Sequence, residues 1–317
     1  MIYRRLGMWG LRLSEIGFGS WLTLNDGDQD HADVLHRTAY ENGINFFDTA
    51  NAYGGGRTET VVGRALAPFS RDTYVLATKL FWPVPDWPFP GANDRGLSRK
   101  HVMTQCANSL ERLGTDYIDL YQCHRFDEET PLVETCRAMN DLIDRGHVLH
   151  WGVSEWDADQ ISEAVSTCEE NGWHLPVSNQ PIYNMLEHHW ESKVFGACRQ
   201  FGLGIVAFSP LAEGLLTGKY LDAVPSGSRA DDEKQGKWIR ARMNETNAQR
   251  VRKLKDLADG MEVPLARLAL AWCLRRREVT SVIVGASRPE QIIDNAQASG
   301  LELDDAVLDR ISAILGT

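Results

Sequence analysis

Four titratable side chains, Asp48, Tyr53, Lys79 and His124, lie far apart in the chain but in equivalent places. Each stands at or just past the end of a short β-branched or aromatic run. Together they make a proton-transfer set. Hydride addition to a carbonyl needs a proton for the developing alkoxide, from a group whose pKa lies near the working pH. A phenol, at about 10, is a poor match by itself. A lysine ammonium at hydrogen-bond distance stabilises the phenolate and would make Tyr53 a stronger acid. Asp48 would keep Lys79 charged and oriented, and His124 would donate to the carbonyl and position it. Each residue also has an ordinary reading: a loop cap for Asp48, a solvated strand end for Lys79, a half-buried surface aromatic for Tyr53, a satisfied core histidine for His124. What the ordinary readings leave unexplained is the set of four at successive strand ends.

The elements that must position them form a repeating pattern. Strand-like runs occur at Glu15–Gly19, Ile44–Asp48, Tyr74–Lys79, Tyr117–Cys123, Val148–Val153, Val177–Gln180, Gly204–Ser209 and Val279–Val284. Several are apolar on both faces, as parallel strands covered by helices are. Amphipathic stretches separate them. Val102, Cys106, Leu110 and Leu113 share one helical face, and Leu132, Cys136, Met139 and Ile143 share another. Gly43, Gly114, Gly146, Gly172 and Gly202 follow helical stretches where a left-handed cap is needed. Thr130-Pro131 reads as a cap followed by a first-turn proline.

Eight strands alternating with helices fit either a closed (β/α)8 barrel or a doubly wound open sheet. The open sheet usually carries Gly-x-Gly-x-x-Gly after its first strand; Gly17-Phe18-Gly19-Ser20-Trp21-Leu22 lacks the third glycine and sets Trp21 where close approach is required. The barrel is therefore the expected fold, as one domain over residues 1–317. Residues Ile2 to Ser14 read as a β-hairpin that could plug its floor, and Asp304 to Leu315 as a final helix. Leu211 to Asn247 reads as a long Gly- and charge-rich connection.

Composition narrows the functional classes. The net charge is −11, and no basic run is longer than Arg275-Arg276-Arg277. Nucleic acid is thus not an expected partner, because phosphate binding needs a positive footprint. No stretch reaches the ~18 consecutive apolar residues of a membrane span. The first residues turn polar too soon for a secretory signal, so a cytoplasmic location is expected. Six cysteines include no Cys-x-x-Cys pair, and neighbours such as Cys123 and His124 point to opposite faces of a strand. No metal site is expected. A metal-dependent barrel hydrolase would also want His-x-His on strand one.

The segments Phe47-Asp48-Thr49-Ala50-Asn51-Ala52-Tyr53-Gly54, Ala77-Thr78-Lys79 and Leu120-Tyr121-Gln122-Cys123-His124 resemble the catalytic tetrad motifs of the aldo-keto reductases. The resemblance continues in order through Trp151-Gly152-Val153-Ser154, Asn179-Gln180, Phe208-Ser209-Pro210-Leu211 and Gly285-Ala286-Ser287. It is strongest to the branch that holds bacterial aldehyde and sugar-phosphate reductases and potassium-channel beta subunits. It implies reduction of a small carbonyl compound with NADP(H), NAD(H) being the other candidate, and leaves a homo-oligomer open. It also implies that the cofactor lies extended across the barrel mouth. By position, Ser154 and Gln180 would bond the carboxamide, Phe208 would stack on the nicotinamide, and Ser20, Trp21 and Asp48 would line its other side. Ser209, Pro210, Leu211 and Lys219 would wrap the pyrophosphate. Gly285, Ser287, Gln291, Asp294 and Asn295 would take the adenosine end, at a helix N-terminus suited to an anion.

This chain also departs from the family pattern. Gln291 stands where many reductases have an arginine, for which Arg229 and Arg288 could compensate. Glu155 replaces the usual Asn or Arg. Channel-subunit relatives carry asparagine at the fourth tetrad position, where this chain has His124. For the substrate, the stiff aromatic loop at 81–90, with Trp82 and Trp87, could wall a pocket with Trp21, Tyr53 and His124, and with Trp156 beyond. Such aromatic faces suit sugar rings and aromatic aldehydes.

Overall fold

The computed structural model of the chain describes residues 1–24, 28–84, 91–233 and 236–317. Eight parallel strands close into a barrel: β3 (Ile16–Gly19), β4 (Phe46–Asp48), β5 (Val75–Leu80), β6 (Ile118–Cys123), β7 (Val148–Val153), β8 (Ser178–Asn179), β9 (Gly204–Ala207) and β10 (Val279–Val284). Strand β10 pairs with β3 and completes the (β/α)8 barrel. The expected strand at 177–180 shrinks to two regular residues, although the backbones of Val177, Gln180 and Pro181 still bond to the neighbouring strands.

The periodic helices form where expected. Helix Arg99–Leu113 buries Val102, Cys106 and Leu113, and helix Leu132–Asp144 buries Cys136 and Met139. All five cap glycines have positive φ, from 63° at Gly114 to 80° at Gly43. The Thr130-Pro131 reading is off by one residue. Pro131 is itself the cap, while the Thr130 hydroxyl donates to Asp127. The connection after β9 is also more ordered than expected. It holds a tight 3-10 stretch (Ala212–Thr217) and a helix (Lys237–Arg242), and a long helix (Glu245–Gly260) starts inside it, capped by the Asn244 side chain. The tail helix spans Asp305–Leu315, capped by Asp304.

Two apolar layers hold the barrel. The larger lies between strands and helices; the inner one joins Leu6 and Leu13 of the hairpin to Phe46, Val75, Ala77, Leu120, Val177, Val206 and Ile283. Strands β1 (Tyr3–Arg5) and β2 (Arg12–Ser14) thus close the floor, with Trp9 and Leu11 packed alongside. The inner layer also accounts for the glycines that mimic a nucleotide motif. A Cβ on Gly17 would lie 2.6 Å from the Phe46 ring, and one on Gly19 would lie 2.4 Å from an Ile283 methyl. Interior packing, not phosphate approach, requires glycine at both. Among the described residues no helix is long and apolar enough to cross a membrane.

Candidate active site

The C-terminal ends of the strands bring three of the four titratable residues to one rim. Asp48 ends β4, Lys79 is the penultimate residue of β5, and His124 follows β6. Tyr53 reaches the same rim from a 3-10 turn, Tyr53–Gly56, in which Gly54 and Gly55 take left-handed φ values of 56° and 68°. That bend requires residues without a Cβ penalty.

Lys79 is fully buried and its ammonium has a partner for each of its three hydrogens. It donates to Asp48 Oδ2 at 2.6 Å, to the Thr49 carbonyl at 2.8 Å and to Tyr53 Oη at 3.4 Å. Asp48 is held from its other oxygen, where Gln180 Nε2 donates at 3.0 Å and Gln122 Nε2 at 3.4 Å. The Tyr53 and His124 rings stand edge to face, 5.9 Å apart, and Trp21 lies 6.4 Å from Tyr53.

Electrostatics assigns protonation states. Burial pulls the Lys79 pKa down, but Asp48 and Tyr53 raise it by more, so the ammonium is retained. Burial also lowers the His124 pKa well below the usual histidine value, helped by Lys79 and Arg125, so the imidazole is neutral. Its Nδ1 is buried without a hydrogen-bond partner. Tyr53 corrects the sequence expectation. Burial raises its pKa by more than Lys79 and Arg125 lower it, and Asp48 adds to the rise. The phenol therefore lies above its ordinary value, not below it.

The remaining expected residues fall into four groups. Ser20, Ser154 and Gln180 join the buried cluster: the Ser20 hydroxyl donates to the Asp48 carbonyl at 3.1 Å, and the Ser154 hydroxyl to the Gln180 carbonyl at 2.8 Å. Phe208 sits partly exposed at the end of β9, bridged to Ile182. Past it, Ser209, Ala212, Glu213, Gly214 and Gly218 all have positive φ, and the amides of Ala212, Gly214, Leu216 and Gly218 close tight turns on backbone carbonyls. Pro210 is buried and Leu211 half-buried within that turn, and Lys219 is exposed at its end. Arg229 packs over the Trp21 ring at 5.8 Å.

At the adenosine end, helix Pro289–Ala296 begins at Arg288 with no side-chain cap, which leaves its first turn open to an anion. A Cβ on Gly285 would make only ordinary contacts within the protein, so the space beside it is not used by internal packing. These features fit a nucleotide cofactor. Three of the expected contacts are engaged within the protein: Gln291 Oε1 accepts from Ser287 N and Oγ, at 2.8 and 3.3 Å, and Asp294 is held by Arg267. Asn295 is buried.

On the substrate side, Trp82 is half-buried and lies edge-on to Phe81 at 4.9 Å, with the Arg95 guanidinium 4.8 Å over it. Phe81 is buried in the core and does not wall a pocket. Nor does Trp156, which is fully buried against Phe126. Trp87 lies outside the described residues. Glu155, the unusual residue after Ser154, has φ 59° and accepts from the Ile182 amide at 2.6 Å, which pins the loop after β8.

Sequence reasoning missed three contributors. Gln122 was visible only as part of a motif; its inward position follows from the alternation of β6. Arg267 is the one charge on the otherwise apolar helix Leu265–Leu274, a pattern that could have marked it. Glu59 is fully buried, accepts from Thr78 at 2.6 Å and pairs with Arg112 at 2.7 Å, locking the strand residue next to Lys79.

Fold and site together define an α/β barrel with its ionisable groups gathered at the C-terminal rim. The chain matches the aldo/keto reductase family over residues 15–315 and belongs to it. It is similar to a protein of Arabidopsis thaliana named as a probable voltage-gated potassium channel subunit beta, 40% identical over 322 aligned residues that cover 99% of this chain and 97% of the relative. A protein of Oryza sativa subsp. japonica with the same name matches at 40% over 322 residues, with the same coverage. Family membership supports an oxidoreductase that acts on carbonyl compounds.

Proposed function

We propose that this protein reduces an aldehyde or ketone to an alcohol with NADP(H), with Tyr53 as general acid. One observation carries the reading. Lys79 donates to the Tyr53 oxygen, which leaves the phenol's own hydrogen for another acceptor, and the Trp21 and His124 rings stand beside Tyr53. A nicotinamide cofactor held at the mouth would supply the hydride. The chain's residues do the rest. The neutral His124 ring donates one N–H to the carbonyl oxygen and orients it. Tyr53, protonated because burial keeps it so, gives its proton to the same oxygen as negative charge develops there. Lys79 stabilises the phenolate left behind, and Asp48, fixed by Gln122 and Gln180, holds Lys79 in place.

Phe208 would face the nicotinamide ring, Ser154 and Gln180 its amide, and the turns at 209–219 with Lys219 the pyrophosphate. Preference for NADP(H) over NAD(H) would come from Arg288 at the open helix N-terminus, with Arg229 nearer Trp21. A sugar-derived or aromatic carbonyl would rest against Trp21 and Trp82. The chain is read as a single domain acting in the cytoplasm, a homo-oligomer remaining compatible with it.

A second reading is a cofactor-binding regulatory subunit, favoured by the likeness to the two plant proteins named as channel beta subunits. Steady-state oxidation of NADPH and NADH across sugar, aliphatic and aromatic carbonyls separates the two. Turnover with at least one class, and a higher kcat/KM for NADPH, is expected. Tight cofactor binding without turnover on any carbonyl would replace the enzyme reading with the regulatory one.

A further inference from the structure

At the barrel floor, where β9 and β10 begin and opposite to Tyr53, a pocket of about 640 Å³ opens beside the hairpin. Five arginines line it, Arg5, Arg199, Arg275, Arg276 and Arg277, against one carboxylate, Glu278. The whole chain has 44 acidic and 33 basic side chains, so this concentration runs against its overall balance.

Three of the arginines have internal partners. Arg275 donates to the Tyr183 hydroxyl and to Glu191, both at 2.8 Å. Arg276 shares Glu191 and Glu278 at 3.5 and 3.6 Å, and Arg199, 70% exposed, pairs with Glu278 at 2.9 Å. Arg5 and Arg277 are exposed and make no ion pair among the described residues.

The walls are fixed. Met8 N donates to the Gly202 carbonyl at 3.0 Å, and Arg4 donates to the carbonyls of Leu274 and Val279, both at 2.9 Å. Thr280 Oγ1 donates to the Arg5 carbonyl at 3.2 Å. A Cβ on Gly7 would fall 2.1 Å from the Gly202 oxygen, so the hairpin tip sits directly on the end of helix Phe195–Phe201. Packing therefore fixes the backbone from which these arginines project, and the positive charge of Arg5 and Arg277, which no carboxylate pairs among the described residues, is available to an anion. Planar guanidinium forks match phosphate oxygens, and Met8, Cys198 and Leu203 give the pocket an apolar side.

We propose that this floor pocket binds a small phosphorylated metabolite, with its phosphates on Arg5 and Arg277 and its organic part against Met8 and Leu203. The site is separate from the mouth: the six residues of β10 alone put on the order of 20 Å between the two ends. Carbonyl reduction does not require it, so its occupant is a second ligand.

Titration calorimetry with inorganic pyrophosphate tests the proposal on the full chain saturated with NADPH, so that the mouth is already occupied. One saturable site is expected. Arg5→Gln with Arg277→Gln should weaken it by about tenfold or more, the scale of lost charge-assisted hydrogen bonds, with melting and circular dichroism unchanged. Arg277→Gln alone should give part of that loss. Lys219→Gln, at the opposite mouth, should leave binding as it was. Absence of saturable binding, or equal affinity in the double variant, would overturn the site. So would a loss of binding in Lys219→Gln, because the pyrophosphate would then be sitting at the mouth.

Discussion

Lys79→Met removes the charge that links Asp48 to Tyr53 while roughly keeping the stem. Its stability effect follows from burial. Asp48 would lose its 2.6 Å ammonium partner and keep only two amide donors, in a site with almost no solvent. Breaking a buried pair from one side costs about 3–5 kcal/mol. Unfolding a chain of 317 residues carries an entropy near 0.67 kcal/mol/K at about 2.1 cal/mol/K per residue, so the melting temperature should fall by about 4–8 °C. The catalytic effect follows from the 3.4 Å contact with the phenol. At an effective dielectric near 20, that charge is worth about 5 kcal/mol to a full phenolate. If roughly half of the phenolate charge has developed in the transition state, the barrier rises by about 2.5 kcal/mol, which is roughly 10²-fold in rate. The Tyr53 titration should move further above its already raised position. Steady-state kinetics, cofactor titration and tyrosinate absorbance read these effects separately, and cofactor affinity should change least. Turnover within about threefold of the parent, with chemistry rate-limiting, would refute the reasoning. So would loss of cofactor binding with normal turnover in what remains bound.

Two further outcomes concern stability. His36 is buried against Phe18 and Phe47, and burial pushes its pKa down to about 4 against the raising effects of the Ala32 carbonyl and Asp33. Its folded pKa lies below the unfolded value of about 6.5, so its contribution is complete above that pH and is lost as pH falls toward 4. The loss is about 3 kcal/mol, and His36→Leu should flatten this part of a denaturant-midpoint profile; an unchanged acid slope would contradict it. Arg112→Met should strand the buried Glu59 carboxylate and cost about 3–5 kcal/mol, while the folded fraction keeps its kcat. A loss of kcat without a loss of stability would instead place Glu59 and Arg112 in the chemistry.

Strand ends and cap glycines could be read from the sequence because each follows a local rule. Periodicity placed Asp48, Lys79 and His124 at successive C-terminal ends, and positive φ at Gly114 and Gly172 matches the helix stops read there. What could not be read depends on three-dimensional sums. The Tyr53 pKa is a contest between burial and the Lys79 charge, and the sequence names the charge without measuring the burial. Trp156 belongs to the core, fully buried and edge-on to Phe126, which composition cannot distinguish from an aromatic at the mouth. The pairing of Arg267 with Asp294, 27 positions apart, likewise needs the helices to be packed.

The account rests most heavily on the Tyr53 proton, and Tyr53→Phe tests it directly. Single-turnover oxidation of bound NADPH, after a carbonyl substrate found by the screen is mixed in, isolates the chemical step. The account predicts cofactor affinity within about threefold of the parent and hydride transfer slowed by at least ~10²-fold, the scale of general acid catalysis. Hydride transfer at the parent rate in Tyr53→Phe would contradict it and move the proton source away from the cluster of Asp48, Lys79 and Tyr53.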